Sequence, residues 1–265
     1  MRQYLDLLDR ILVEGVEKRD RTGTGTLSIF GHMMRFDLRE GFPLLTTKKL
    51  FTKGIFGELI WFLRGDTNVH WLQERGIHIW DEWAGEDGTI GKAYGYQLGV
   101  KYKFKQGEMD QVDNILWLLE HDKYSRRIMA NMYNFADLSE MNLEPCAYSM
   151  TFNVKGDTLN AILNQRSQDI LTANNWNVVQ YALLLMMFAQ VSGLKAGELI
   201  HVISDAHIYD RHVDIVKELI ERPQYPAPKV TLNPEVKDFY EFTVDDLIVK
   251  DYQKNPQMKN IPVAI

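Results

Sequence analysis

The chain has 265 residues, 45% of them hydrophobic and 25% charged, a balance that suits a globular protein with a sizeable core. No apolar run approaches the roughly 20 residues of a membrane helix, residues 1–18 lack signal-peptide architecture, and a net charge of −6 supplies no global attraction to nucleic acid. A single cysteine excludes an internal disulfide and a multi-cysteine metal site, so the expectation is a cytoplasmic protein with no metal, no DNA partner and no membrane contact.

Leu5, Leu8, Leu12 and Val16 recur at helical spacing and predict a helix over 2–18. Residues 26–37, β-branched and aromatic, read as a strand. Asp66 and Thr67 read as a helix start before Val69 and Leu72. Residues 109–121 place Val112, Ile115, Leu116 and Leu119 on one helical face. Residues 146–154 alternate, with Tyr148, Met150, Phe152 and Val154 on one side. Lys155-Gly156-Asp157 turns the chain into a second alternating run through Leu159, Ala161 and Leu163, which makes a hairpin. Residues 175–191 are apolar nearly all round and predict a buried central helix, with Gly193 at its C-terminal end. Residues 199–203 read as a short buried strand and 208–221 as an amphipathic helix. Pro223, Pro226 and Pro228 keep the next stretch irregular or at a sheet edge. Neither a repeat nor a linker interrupts residues 1–265, so they read as one domain. Strands and helices mix without regular βαβ alternation, which gives the class α+β, a mixed sheet flanked by helices.

Several residues are candidates for chemistry. Cys146 is either a small buried hydrophobe or a nucleophile, and the second role needs positive neighbours. The hairpin brings back one such neighbour, Arg166, together with Ser167. On a helix, Glu58 lies one turn from Ile55 and Phe62. There it is either an acid–base group with a raised pKa or a helix-end residue that reaches solvent. Arg126 and Arg127 are adjacent at the start of a strand, where neighbours face opposite sides, so gripping one ligand needs a bulge, a strand end or a second subunit. Arg21 sits in a Gly/Thr loop that admits a phosphate or is a simple turn. Asp205, His207 and Tyr209 alternate and suit sugar hydroxyls better than a metal, and His212 is too loosely placed to add a ligand. Trp80 and Trp83 are stacking surfaces or core. Asn174 or Asn175 is a cap candidate for the central helix. Asn177, just inside it, can both donate to and accept from a lactam edge.

In order and spacing these segments resemble the folate-dependent thymidylate synthases. The matching stretches include Asp20-Arg-Thr-Gly-Thr-Gly-Thr26, Phe42-Pro-Leu-Leu-Thr-Thr-Lys48, Glu58-Leu-Ile-Trp-Phe-Leu63, Ile79-Trp-Asp-Glu-Trp83, Pro145-Cys146, Gln165-Arg-Ser167 and Asp205-Ala-His-Ile-Tyr209. The resemblance implies methylation of dUMP to dTMP, with 5,10-methylenetetrahydrofolate as the donor of carbon and hydride. It implies Cys146 as the nucleophile at pyrimidine C6, Glu58 as organiser of proton transfers, and Tyr94 near the C5 proton. Arg21, Arg166 and Ser167 would hold the phosphate, joined by Arg126 and Arg127 from the second subunit of a homodimer. Asn177, with Asp205 close by, would read the base, and His207 and Tyr209 the ribose. Ile79, Trp80 and Asp169 would line the pterin, with Asp169 also at the nucleotide. Lys48 would meet the folate tail, and the terminal Ala264 and Ile265 would close the site.

The chain departs from the family's commonest residues at Phe51, Gly57, Leu98, Gly99, Ala147, Gln168, Ala173, Asn175 and Trp176. Two other readings compete. One is a pyrimidine hydroxymethylase of the same fold, against which Asn177 and Trp80 weigh. The other is a non-catalytic binding protein, for example one that binds RNA, against which the acidic charge weighs.

Overall fold

The computed structural model describes residues 1–19, 24–258 and 261. The N-terminal apolar stripe folds as α1 (Arg2–Glu14) and buries Tyr4, Leu5, Leu7, Leu8 and Ile11. It is shorter than the periodicity predicts. Gly15 is extended, and Val16 leaves the helix to pair with Ser28. That pairing gives β1 (Val16–Arg19) beside β2 (Gly25–Asp37), and Val16 is 70% exposed.

Next come α2 (Thr52–Leu63), α3 (His70–Gln73) and α4 (Gly95–Gly99), a small hairpin of β3 (Tyr102–Phe104) and β4 (Gly107–Met109), and α5 (Gln111–His121). The predicted helix start at Asp66 is instead a turn in which its carboxylate accepts from Asn68 N, and α3 begins only at His70. The α5 start is capped by Asp110, whose side chain accepts from Asp113 N.

A short strand, β5 (Met129–Asn131), precedes the predicted hairpin, β6 (Ala147–Lys155) and β7 (Thr158–Asp169). Cys146 stands just before β6, and the register shifts between Ala147 and Ser149, so the alternation predicted from Cys146 onward breaks there. The central helix α6 (Asn174–Val191) is apolar all round and buried, and Gly193 beyond it has φ +66°. Neither asparagine caps it. Its N-cap is Ala173, Asn174 is fully buried, and Asn175 Nδ2 donates to Tyr4 Oη at 3.1 Å.

The stretch predicted as a short strand is the fifteen-residue β8 (Lys195–Tyr209), which also includes Asp205, His207 and Tyr209. The following helix is correspondingly shorter, α7 (Val213–Glu221). The prolines end it, and the chain then forms a separate two-stranded sheet of β9 (Lys229–Leu232) and β10 (Leu247–Lys250).

The main sheet has the order β1-β2-β8-β7-β6-β5. Its pairs are antiparallel except β7 and β8, which α6 connects as a parallel crossover. Leu159, Ala161, Leu163, Leu199, His201 and Ile203 face the helices and are buried, with α6 against β7 and β8 and α1 against β2. The other face alternates with them. On it Ile162 pairs with Ile200, and Met33 pairs with Val202. Met33 and Ile162 are exposed there, as is Met129 on the far edge strand.

Candidate active site

The register of β6, β7, β8 and β2 aligns most of the candidate residues at one end of the sheet. Arg166 N donates to Cys146 O at 3.0 Å, Ser167 pairs with Asp205, Asp169 with His207, and His207 with Ser28. Cys146 is half-buried. Its peptide N–H donates to Tyr94 Oη at 3.0 Å. The Arg166 guanidinium donates to Pro145 O and Glu144 O at 3.0 and 2.8 Å, which fixes a cation beside the thiol. Tyr94 has φ +24°, a strained conformation for a tyrosine, and its ring stacks on Phe62 of α2 at 4.7 Å. Burial first, then the Cys146 thiol, push its phenol well above the ordinary range.

Glu58 does not reach solvent; it is 3% exposed in the middle of α2. Trp80 Nε1 donates to one carboxyl oxygen at 2.6 Å. Trp176 Nε1 and Gln180 Nε2 donate to the other at 2.5 and 2.6 Å. Burial raises its pKa to about 7 against these three hydrogen bonds, which lower it. A carboxyl raised in this way stabilises the fold fully only below its ordinary value near 4.5, and that contribution is lost as pH rises through about 7. The difference is on the order of 3 kcal/mol, a cost to stability that proteins accept at functional sites.

Asn177 Oδ1 accepts from both Gln165 Nε2 and Gln168 Nε2 at 3.1 Å. Gln165 is held in turn by the buried His201, whose Nε2 lies 2.7 Å from Gln165 Oε1. Burial lowers the His201 pKa to about 3, so the imidazole is neutral and donates this proton. Asn177 Oδ1 is thus engaged by the two glutamine amides in this structure.

The Asp205 carboxylate accepts from Ser28 Oγ at 3.0 Å, lies 3.0 Å from His207 Nδ1, and also takes Lys18 Nζ. It is thus tied to the β2–β8 seam. Tyr209 lies edge-on to His207 and to His212. His212, which the sequence left loose, is fully buried with Nδ1 3.8 Å from Asp169 Oδ2. Asp169 Oδ1 accepts from Leu171 N at 2.9 Å and Thr172 N at 3.3 Å, which holds the turn into α6. Lys48 is buried, with Nζ donating to Leu171 O at 2.6 Å. Burial lowers its pKa to about 8. Trp80 is buried edge-on to Tyr94, and Ile79 is half-buried beside it.

Arg126 and Arg127 stand apart from this group. Both are exposed in a turn before β5, not on the strand, so strand alternation does not separate them. Arg21, Ala264 and Ile265 lie outside the described residues. Sequence reasoning missed Gln180 and His201, whose only sequence signal is polarity inside an apolar helix or strand, and gave no role to Gln165, although it opens the matching stretch Gln165-Arg-Ser167.

A thiol beside a fixed cation, a buried carboxyl raised toward neutrality and an amide held by other amides are the groups of an enzyme site. The chain belongs to the thymidylate synthase family, whose model matches residues 2–265. It is similar along its full length to a solved structure, the thermostable thymidylate synthase A from Bacillus subtilis. Identity is 40%, the match covers 100% of this chain and 99% of that one, and the TM-score is 0.93. Membership assigns an enzyme that methylates dUMP to dTMP, in a family that uses methylenetetrahydrofolate as co-substrate.

Proposed function

We propose that the chain carries out the reductive methylation of dUMP through a covalent bond from Cys146 to pyrimidine C6, releasing dTMP and dihydrofolate. The observation that carries this reading is the placement of Cys146 between Arg166 and the Tyr94 hydroxyl. The Arg166 cation favours the thiolate, and thiolate addition to C6 makes C5 nucleophilic. Tyr94 stands near the C5 proton as a neutral hydroxyl, and Glu58, able to exchange a proton near neutrality, organises the proton transfers. Arg21, Arg166 and Ser167 hold the phosphate with the partner subunit's Arg126 and Arg127. His207 and Tyr209 meet the ribose, and Asp205 orients His207.

The co-substrate, 5,10-methylenetetrahydrofolate, supplies both the carbon and the hydride. A flat pterin fits the wall of Ile79 and Trp80, with the Asp169 carboxylate at its polar edge. Lys48 reaches the tail only by leaving Leu171 O. The apolar row of Met129, Ile162, Ile200, Val202 and Met33 on the uncovered sheet face supports a homodimer formed through that face. The enzyme is read as cytoplasmic.

Mixing the protein with dUMP and the folate is expected to yield dihydrofolate and dTMP in equal amounts, followed by absorbance and mass spectrometry. A 5-hydroxymethyl product without dihydrofolate would instead establish the hydroxymethylase reading.

Base choice gives a second test. Asn177 Nδ2 donates to uracil O4, whereas cytosine presents an amine there, so donor meets donor. Asn177→Asp supplies an acceptor while keeping both glutamine contacts. The ratio of kcat/KM for dCMP to that for dUMP is expected to rise by about 10- to 100-fold. An unchanged ratio would remove Asn177 from base reading.

A further inference from the structure

We propose that Trp176 is a positioning residue for Glu58: its indole N–H, paired with the Gln180 amide, holds one carboxyl oxygen and governs when Glu58 releases its proton. The inference rests on the reading of Glu58 as the proton-transfer group.

Trp176 and Gln180 are four residues apart on α6, so their side chains project from one face. Together they form a two-donor fork on Glu58 Oε2, at 2.5 and 2.6 Å, while Oε1 takes the single donor of Trp80 at 2.6 Å. All three donors are neutral. The titratable groups facing the carboxyl are the phenols of Tyr94, next to α4, and Tyr181 on α6, both held protonated by burial. No cation among the described residues shifts Glu58, so these N–H groups are the counterweight to its burial.

Charge-assisted hydrogen bonds are strong where water is excluded, and losing one of three shifts the balance toward the protonated acid. Among the described residues the Trp176 ring stacks on no other aromatic ring, although it packs against the core. Phenylalanine keeps a flat apolar ring against that core but removes the N–H together with part of the indole, so Gln180→Met, which deletes the other donor at nearly constant volume, is the companion variant. Trp176 also immediately precedes Asn177. One helical turn therefore fixes both the base-reading amide and the proton-transfer carboxyl, so that docking of the base and the state of Glu58 share a support.

The test uses the protonated-carboxyl stretch of Glu58 in the infrared, assigned by its loss in Glu58→Gln. In Trp176→Phe the titration midpoint is expected to rise by about one pH unit relative to the unmodified protein. Gln180→Met is expected to move it the same way. The inflection in the kcat profile should follow, with KM for dUMP little changed. An unmoved midpoint in a folded Trp176→Phe overturns the proposal. The intact protein gives a reading that no unfolding can spoil. With tryptophan labelled at the indole nitrogen, the Trp176 N–H resonance should titrate with Glu58 and stop doing so in Glu58→Gln. An indole that ignores the carboxyl also overturns it. Neither measurement involves substrate, so a failure of methylation would be seen separately, in the dihydrofolate assay.

Discussion

Cys146→Ser is expected to lower turnover by roughly 10⁴-fold or more while leaving the fold and dUMP binding intact. The structural half of this expectation follows from how the residue is held. The Cys146 peptide group donates to Tyr94 Oη and accepts from Arg166 N, and serine keeps both contacts. The site is half-buried, so the smaller oxygen leaves no sealed void. The chemical half follows from pKa. Arg166 can stabilise a thiolate at neutral pH but cannot ionise an alcohol, so the attacking anion is absent. Calorimetry of dUMP binding and single-turnover formation of dihydrofolate separate the two halves. Turnover near that of the unmodified enzyme would end the covalent reading, and loss of dUMP binding would show that serine disturbs the site itself.

The two groups that define this chemistry differ in how far the sequence revealed them. The apolar flanks of Glu58 placed it on a helix face, but not which side of that face met solvent. Three donors from two distant segments decide the matter, and no local pattern contains them. The α+β class and the hairpin that returns Arg166 to Cys146 were legible because side chains alternate along both strands. The errors arose where pairing overrode local preference. Val16 has helical spacing but pairs with Ser28 in β1. Asp205, His207 and Tyr209 alternate beyond the apolar run at 199–203 that read as the whole strand, yet β2 and β7 on either side hold them in β8.

Several departures from the family's commonest residues bond to, or make room for, their neighbours in this chain. A Cβ on Gly57 would come 2.5 Å from Ile77 Cδ1, so a larger residue there needs the end of the Ile77 side chain to turn aside. Gln168 bonds to Asn177, Asn175 to Tyr4 and Trp176 to Glu58. These substitutions rewire the support of the site while leaving Cys146 and Arg166 in place.

The largest recovery of activity is expected from mixing two inactive proteins. Arg126 and Arg127 lie in one exposed turn, and neither makes a hydrogen bond or an ion pair among the described residues. They stand before the edge strand β5, whose Met129 belongs to the uncovered sheet face. A second copy on that face would receive the turn at its own phosphate pocket. Each site would then take Cys146 from one subunit and Arg126 from the other. Losing one charge-assisted contact to phosphate costs about 1.5–3 kcal/mol, and reversing the charge adds repulsion, so Arg126→Glu alone should be nearly inactive. In a dimer of one Cys146→Ser chain and one Arg126→Glu chain, both defects fall in the same site and the other site is whole. Equal amounts refolded together give mixed dimers in half of the pairs, each with one working site, so activity should return to about a quarter of that of the unmodified protein. Mass-tagged chains verify the exchange. If exchange is complete and activity stays at the level of either variant alone, Arg126 acts within its own chain or away from the phosphate, and the shared site is disproved.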